Sequence, residues 1–340
     1  MAVPRALGPV LIGVGVVLSV CALRVRADDM DPALTRLVQR AGNGPCMPMN
    51  GAAFCPDHEA FEHLASELAV ALSPAVETGA AGLGARGFYL GLSSTATPIR
   101  AGQRYWAKGT RGSSLGNEQN SSVDSMLAWN RVDIRKGLPF GLELGSSFGY
   151  GMNTSLWLLA VQVRAVLFEG FHSGLGALPD IALRGVTQAM FGSSELSVRT
   201  HALDVTLSKP FVIFGSHRLT PLLALQALFV NARSGRIDLT PNENAWATCV
   251  PSTTASDGAT LVCTNPQGNT ELANLGAFRN VNQTRVRLFL GAEERYSWLS
   301  VAATLGVDLA VPELQTEFAG DGPSNVMRQV SFHFACGVRY

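Results

Sequence analysis

The sequence predicts an all-β fold, a ten-stranded antiparallel transmembrane β-barrel, with a small helical segment in front of it. Three observations carry that reading. Apolar residues recur with period two from about residue 86 to the end, so successive side chains point to opposite faces of strands. The alternating stretches run about 11–15 residues, whereas globular strands average five or six and a tilted membrane strand needs roughly 9–11. The face opposite the apolar one is rich in Gly, Ala and Ser with scattered Arg and Asp, which suits an enclosed, hydrated interior better than open water.

Composition removes other classes. The 340 residues carry 26 Lys+Arg against 26 Asp+Glu, and only 15% are charged, well under the roughly 25% of an ordinary soluble domain. A mean hydropathy of +0.18 argues against disorder. A pI near 7.0 without a basic cluster argues against nucleic acid as a partner. Only one apolar run, at the N-terminus, approaches helix-spanning length, which argues against a polytopic helical membrane protein.

That run reads as an export signal. Arg5 supplies a positive start, Leu7–Leu23 is apolar, and Val25-Arg26-Ala27 has the small-residue shape of a cleavage site. Residues 1–27 are expected to be a cleaved signal peptide, an uncleaved signal anchor being the alternative. Cleavage removes three arginines and leaves 23 basic against 26 acidic residues. Export also favours disulfides. Cys46/Cys55 and Cys249/Cys263 enclose short segments rich in loop-forming residues and are the expected pairs. A four-cysteine metal site lacks any CxxC spacing, so no metal or cofactor is expected.

Residues 28–85 are expected to hold two helices and a linker. Asp31 and Pro32 suit the start of a helix over 31–42, ended by Gly42. Asp57 is the candidate N-cap of a second, 57–72, in which Phe61, Leu64, Leu68 and Leu72 recur at helical spacing before Pro74. His58 and His63 stand five apart, about 140° around a helix, and so do not form the one-face pair that zinc helices use. The stretch 77–87 is a glycine-rich linker.

Ten strands follow at about 86–97, 122–136, 138–150, 155–168, 179–191, 196–208, 218–232, 280–293, 298–311 and 326–340. Connections alternate between short turns and longer loops, the pattern of barrels with both chain ends on one side of the membrane. Only Gly137 separates the second strand from the third. In 196–208 the alternation changes phase between Val198 and Leu203, as a β-bulge would cause.

The last segment, Phe332-His-Phe-Ala-Cys-Gly-Val-Arg-Tyr340, resembles the terminal strand of Gram-negative outer-membrane β-barrel proteins. Arg135–Gly145, Leu178–Gly185 and Leu203–Lys209 resemble, more narrowly, a poorly characterised outer-membrane protein group of high-GC bacteria. The first resemblance implies a barrel over 86–340 in the cell outer membrane, with bilayer lipid around it. It implies that the barrel-assembly machinery reads Phe332, Phe334, Val338 and Tyr340. With both barrel ends in the periplasm, 28–85 becomes a periplasmic segment with a possible periplasmic partner. Cys336 shares the phase of Phe332, Phe334 and Val338 and is expected to face lipid, unpaired.

The opposite phase supplies the expected lumen-facing set: Arg131, Asp133, Arg135, Glu143, Arg164, Arg184, Arg285, Arg287, Glu293, Asp308, His333 and Arg339. Asp204 is harder to place because of the phase change. Arginine stays charged and pairs bidentately with carboxylates, so the set suits an interior ion-pair network. Two readings stay open: a structural plug of ion pairs, or a small anion-favouring pore, since seven arginines face four acids. Hydrolysis at the barrel rim, through His201 or His333, and ligand binding by the long loops are further alternatives. No residue is assigned a catalytic role, because nothing places a base, a nucleophile and an orienting group together.

Overall fold

A computed structural model of the protein describes residues 29–40, 54–112, 119–169, 178–239, 249–251, 261–263, 275–311 and 327–340. The signal stretch 1–27 and Cys46 lie outside these residues. Ten strands form the wall: β1 (Phe88–Pro98), β2 (Met126–Gly137), β3 (Leu142–Gly151), β4 (Trp157–Phe168), β5 (Asp180–Phe191), β6 (Leu196–Ser208), β7 (His217–Ser234), β8 (Val281–Tyr296), β9 (Leu299–Ala310) and β10 (Val330–Arg339). Each pairs antiparallel with its sequence neighbour, and β10 pairs with β1, so the ring has no free edge. Reciprocal backbone hydrogen bonds between Phe88 and Tyr340 finish that seam.

Alternation is visible in every strand. Along β6, Ser197, Arg199, His201, Leu203 and Val205 face out while Leu196, Val198, Thr200, Ala202, Asp204 and Thr206 are buried. No bulge interrupts it, since the register to β5 and β7 runs unbroken through this stretch. The expected bulge is therefore absent. The change of phase has another cause: the inward face is itself apolar near the long loops and polar further down. The third strand also starts later than expected. Pro139–Gly141 forms a turn with Phe140 at φ 63°, which leaves that ring 97% exposed.

The apolar inner layer exists because a helix fills it. Helix α1 (His58–Leu72) begins at Asp57, whose side chain accepts from the Ala60 N–H. Phe61, Leu64, Leu68 and every residue from Ala69 to Leu72 are buried, in one cluster with Leu127, Trp129, Leu158, Val186, Met190, Val198, Leu228 and Val230 of the wall. The last turn of this helix, Leu68–Leu72, is apolar all round and needs such an enclosure. Beyond Pro74 the chain runs on through the lumen to Phe88, where the wall starts.

The segment before α1 lies at the end of the barrel that carries the long loops. Met30 N–H donates to Asn153 O, Ala33 N–H to Gly109 O, and Asp31 accepts from the Ser155 N–H and hydroxyl. Leu34 N–H donates to Glu195. These partners sit in the loops after β1, β3 and β5, opposite the end that holds Phe88 and Tyr340. The described part of 28–85 thus lies in the lumen and at the end of the barrel that carries the long loops, where its apolar helix is enclosed by wall residues. Over its described part, residues 31–40, the expected helix is also absent. Asp31 is spent on Ser155 instead of on a cap, only Leu34–Arg36 makes a short turn, and Val38–Arg40 pairs as a strand with Phe54–Pro56.

Candidate functional site

The site is the filled lumen, and it is built in three levels. At the outer mouth, a short helix, α2 (Arg104–Gly109), in the loop after β1 lies over α1. Glu67 of α1 is fully buried and accepts from the Tyr105 hydroxyl (2.6 Å), the Trp106 indole N–H (2.8 Å) and the Arg100 N–H (3.2 Å). Burial and the adjacent carboxylate push the Tyr105 hydroxyl well above the ordinary phenol range, so it stays a donor. Phe278 stacks on Phe61 at 4.6 Å and closes the apolar layer.

At mid-depth the C-terminus of α1 meets arginines. Its last carbonyls carry partial negative charge and lack helical partners. Arg131 donates to Leu72 O (2.8 Å) and Ser73 O (3.0 Å), Gln188 donates to Leu72 O, and Gln226 donates to Pro74 O (3.0 Å). Arg285 reaches Ser66 Oγ (2.6 Å) and Asp308 (2.6 Å). Arg287 reaches Ser73 Oγ, Asp308 (3.1 Å) and Ser331 Oγ (2.7 Å). Glu77, Tyr89, Arg131, Asp133, Arg135 and Arg184 border a cavity of about 30 Å³, room for one or two waters.

At the lower end the glycine-rich linker is held by its backbone. Gly79 N–H donates to Glu293 (2.9 Å), Ala80 N–H to Ser208 (2.7 Å), Gly82 N–H to Glu169 (2.7 Å) and Leu83 N–H to Glu143 (2.7 Å). Arg164 donates to Gly79 O and lies 3.5 Å from Glu143, which Arg135 approaches at 3.9 Å. The fit is close: a Cβ on Gly79 would stand 2.9 Å from Thr220, and one on Gly137 would stand 1.9 Å from Gly84 O. Glycine in the linker and opposite it lets backbone approach wall.

The twelve expected lumen positions fall as follows. Arg131, Arg135, Glu143, Arg164, Arg285, Arg287, Glu293, Asp308 and His333 are buried; Asp133, Arg184 and Arg339 are partly so. Asp133 accepts from Ser93 (2.8 Å), Arg184 donates to Asp204 (2.6 Å), and Arg339 lies 3.6 Å from Glu293. Asp204, fully buried, also accepts from Gln226. Arg295 is an inward arginine missed by the sequence reading, which placed 294–297 in a turn; it pairs with Glu293 at 2.7 Å. Glu67, Glu77, Gln188 and Gln226 were missed as well. Gln188 and Gln226 share the inward phase of their strands, which was the available signal; Glu67 on α1 and Glu77 in the linker offered no such alternation.

His333 bonds Thr95 through Nδ1 (2.9 Å) and Ser331 through Nε2 (2.8 Å). Ser331 is fully buried and already engaged by Arg287, and the third group is a hydroxyl rather than a carboxylate. This is the bonding of a structural histidine. His201 faces outward beside Thr187, far from that cluster in register. Among the described residues no three His, Cys, Asp or Glu side chains group as metal ligands.

On the outer face Phe332, Phe334, Val338 and Tyr340 are 54%, 37%, 42% and 95% exposed, within a belt that includes Leu92, Val161 and Leu225. Cys336 is the free cysteine among the described residues and lies half-buried in the same phase. Cys55 is not a free thiol. Cys249 and Cys263 are opposite each other in a small two-stranded sheet.

An edge-free ring of strands with an apolar outer belt is one of the two ways a chain can satisfy its backbone inside a bilayer. The fold therefore defines an outer-membrane β-barrel protein, located in the cell outer membrane. No protein-family model matches the chain, and no curated protein matches it. Solved structures similar to it include the attachment invasion locus protein Ail of Yersinia pestis, at 8% identity over 75% of this chain and 99% of that one, TM-score 0.26. The translocator domain of the autotransporter NalP from Neisseria meningitidis matches at 11% identity over 76% and 89%, TM-score 0.31. The KdgM porin, in complex with disordered oligogalacturonate, matches at 7% over 73% and 98%, TM-score 0.25. Likeness at this level speaks to no function.

Proposed function

We propose that the protein is a stoppered outer-membrane barrel, a structural wall protein closed to small solutes while its own N-terminal segment fills the lumen. One observation supports this above the others: the lumen arginines donate to the segment's backbone, at Leu72, Ser73 and Gly79. A water-filled pore would leave those guanidinium groups to solvent. On this reading the working partners are bilayer lipid and, during assembly, the machinery that reads the terminal strand. Residues 1–27 are lost on export, and the disulfides 46–55 and 249–263 close segments at the outer face. The test is electrical. Purified full-length protein, refolded to its heat-modifiable form, should add no steady conductance to a planar bilayer. A steady ohmic current would refute the stoppered barrel.

A further inference from the structure

We infer that the lumen, once the N-terminal segment leaves it, is an anion-selective pore, and that the segment is a gate over a conduit for small anionic solutes. The inference rests on the closed-barrel reading above and extends it.

The wall by itself is unbalanced. Eight inward arginines, at positions 131, 135, 164, 184, 285, 287, 295 and 339, face six carboxylates, at 133, 143, 169, 204, 293 and 308. Asp180 and Lys209 at the lower rim offset one another in that count. The missing acceptors are supplied from inside. Arg131 has carbonyl partners at the C-terminus of α1, and Glu77 stands beside it. Arg164 is shared between Glu143 and Gly79 O. Arg285 and Arg287 add Ser66 and Ser73 to the one carboxylate they share. The segment's helix end, carbonyls and carboxylate thus occupy the places an anion would take. Arginine keeps its charge whatever replaces them.

The bore is wide enough. A lumen that admits an α-helix with its side chains is on the order of 10 Å across, and ten strands enclose more than the eight whose interior side chains alone fill. Below α1 the segment is held to the wall by single hydrogen bonds and by a small apolar contact of Ala75 and Val76 with Leu222, Ala224 and Phe289. At the outer mouth Glu67 ties α1 to Arg100, Tyr105 and Trp106, beside the contacts of residues 30–34 with the loops.

Three chains tested in planar bilayers under a potassium chloride gradient decide the matter: full length, a chain lacking residues 28–80 but keeping the export signal, and full-length Glu67→Ala. Heat-modifiable migration identifies the folded ones. The shortened chain should conduct, with its reversal potential displaced toward the chloride equilibrium potential, and Arg131→Gln placed in it should reduce that displacement. A folded shortened chain that is silent, or cation-selective, overturns the inference, as does an unchanged displacement with Arg131→Gln. If the shortened chain does not fold, the full-length Glu67→Ala protein decides: brief anion-selective openings support the gate, and lasting silence of the folded variant overturns it. Steady current through the unmodified chain would sink the stoppered-barrel reading as well, so the two failures are distinct.

Discussion

Glu143→Ala tests the interior most directly. The Glu143 side chain is 2% exposed, lies 3.5 Å from Arg164 and 3.9 Å from Arg135, and accepts the Leu83 N–H of the linker. At an effective dielectric of about 20, one unit charge at 3.5 Å is worth about 5 kcal/mol of direct attraction. Removing one partner of a buried pair typically costs about 3–5 kcal/mol, because the other charge is left uncompensated. The expected loss of unfolding free energy is therefore about 3–5 kcal/mol, read by urea unfolding of the lipid-reconstituted barrel. Glu143→Gln keeps an acceptor for Leu83 and should lose less. Glu294→Ala is the surface comparison: that side chain is 57% exposed and pairs with His217 at 2.9 Å, so its removal should cost under about 1 kcal/mol. If Glu143→Ala proves as mild as Glu294→Ala, water reaches Arg164 and the packed lower lumen is wrong.

Other expectations follow from separate parts of the molecule. Deleting Phe332–Tyr340 removes the β10–β1 seam and should abolish the heat-modifiable band. Water-soluble maleimide should label Cys336 poorly in intact membranes and well after denaturation, while mass spectrometry of the unreduced protein should show the 46–55 and 249–263 crosslinks. Asp57→Ala should fray the first turn of α1 at a cost of about 1 kcal/mol, visible as faster amide exchange at residues 60 and 61. The Tyr105–Glu67 bond should contribute fully below about pH 10, the ordinary phenol value, and fade as pH rises past it, because the folded hydroxyl titrates higher than the unfolded one. Tyr105→Phe should remove that alkaline dependence.

The wall was legible because a membrane strand states its environment at every second residue. Val330–Arg339 shows this: Phe332, Phe334 and Val338 on one face and Ser331, His333 and Ala335 on the other follow from period two alone. So did α1, whose cap and spacing are local. What occupies the interior was not legible. A lumen lined by Leu158, Val198 and Val230 at one depth and by Arg164, Asp204 and Gln226 at another reads along β6 as an irregularity, because the cause is a helix distant in sequence. Asp31 and Pro32 carry a helix-start pattern, yet Ser155, 124 residues away, takes the Asp31 carboxylate. The sequence by itself determined a barrel, its strand count and which residues face inward over most of the wall, since these depend on alternation. Only the tertiary structure decided that the N-terminal segment threads the lumen and that its backbone carbonyls satisfy the arginines. The contacts between the segment and the wall arginines join residues 58 to 219 positions apart, and their energy depends on burial that no local pattern records.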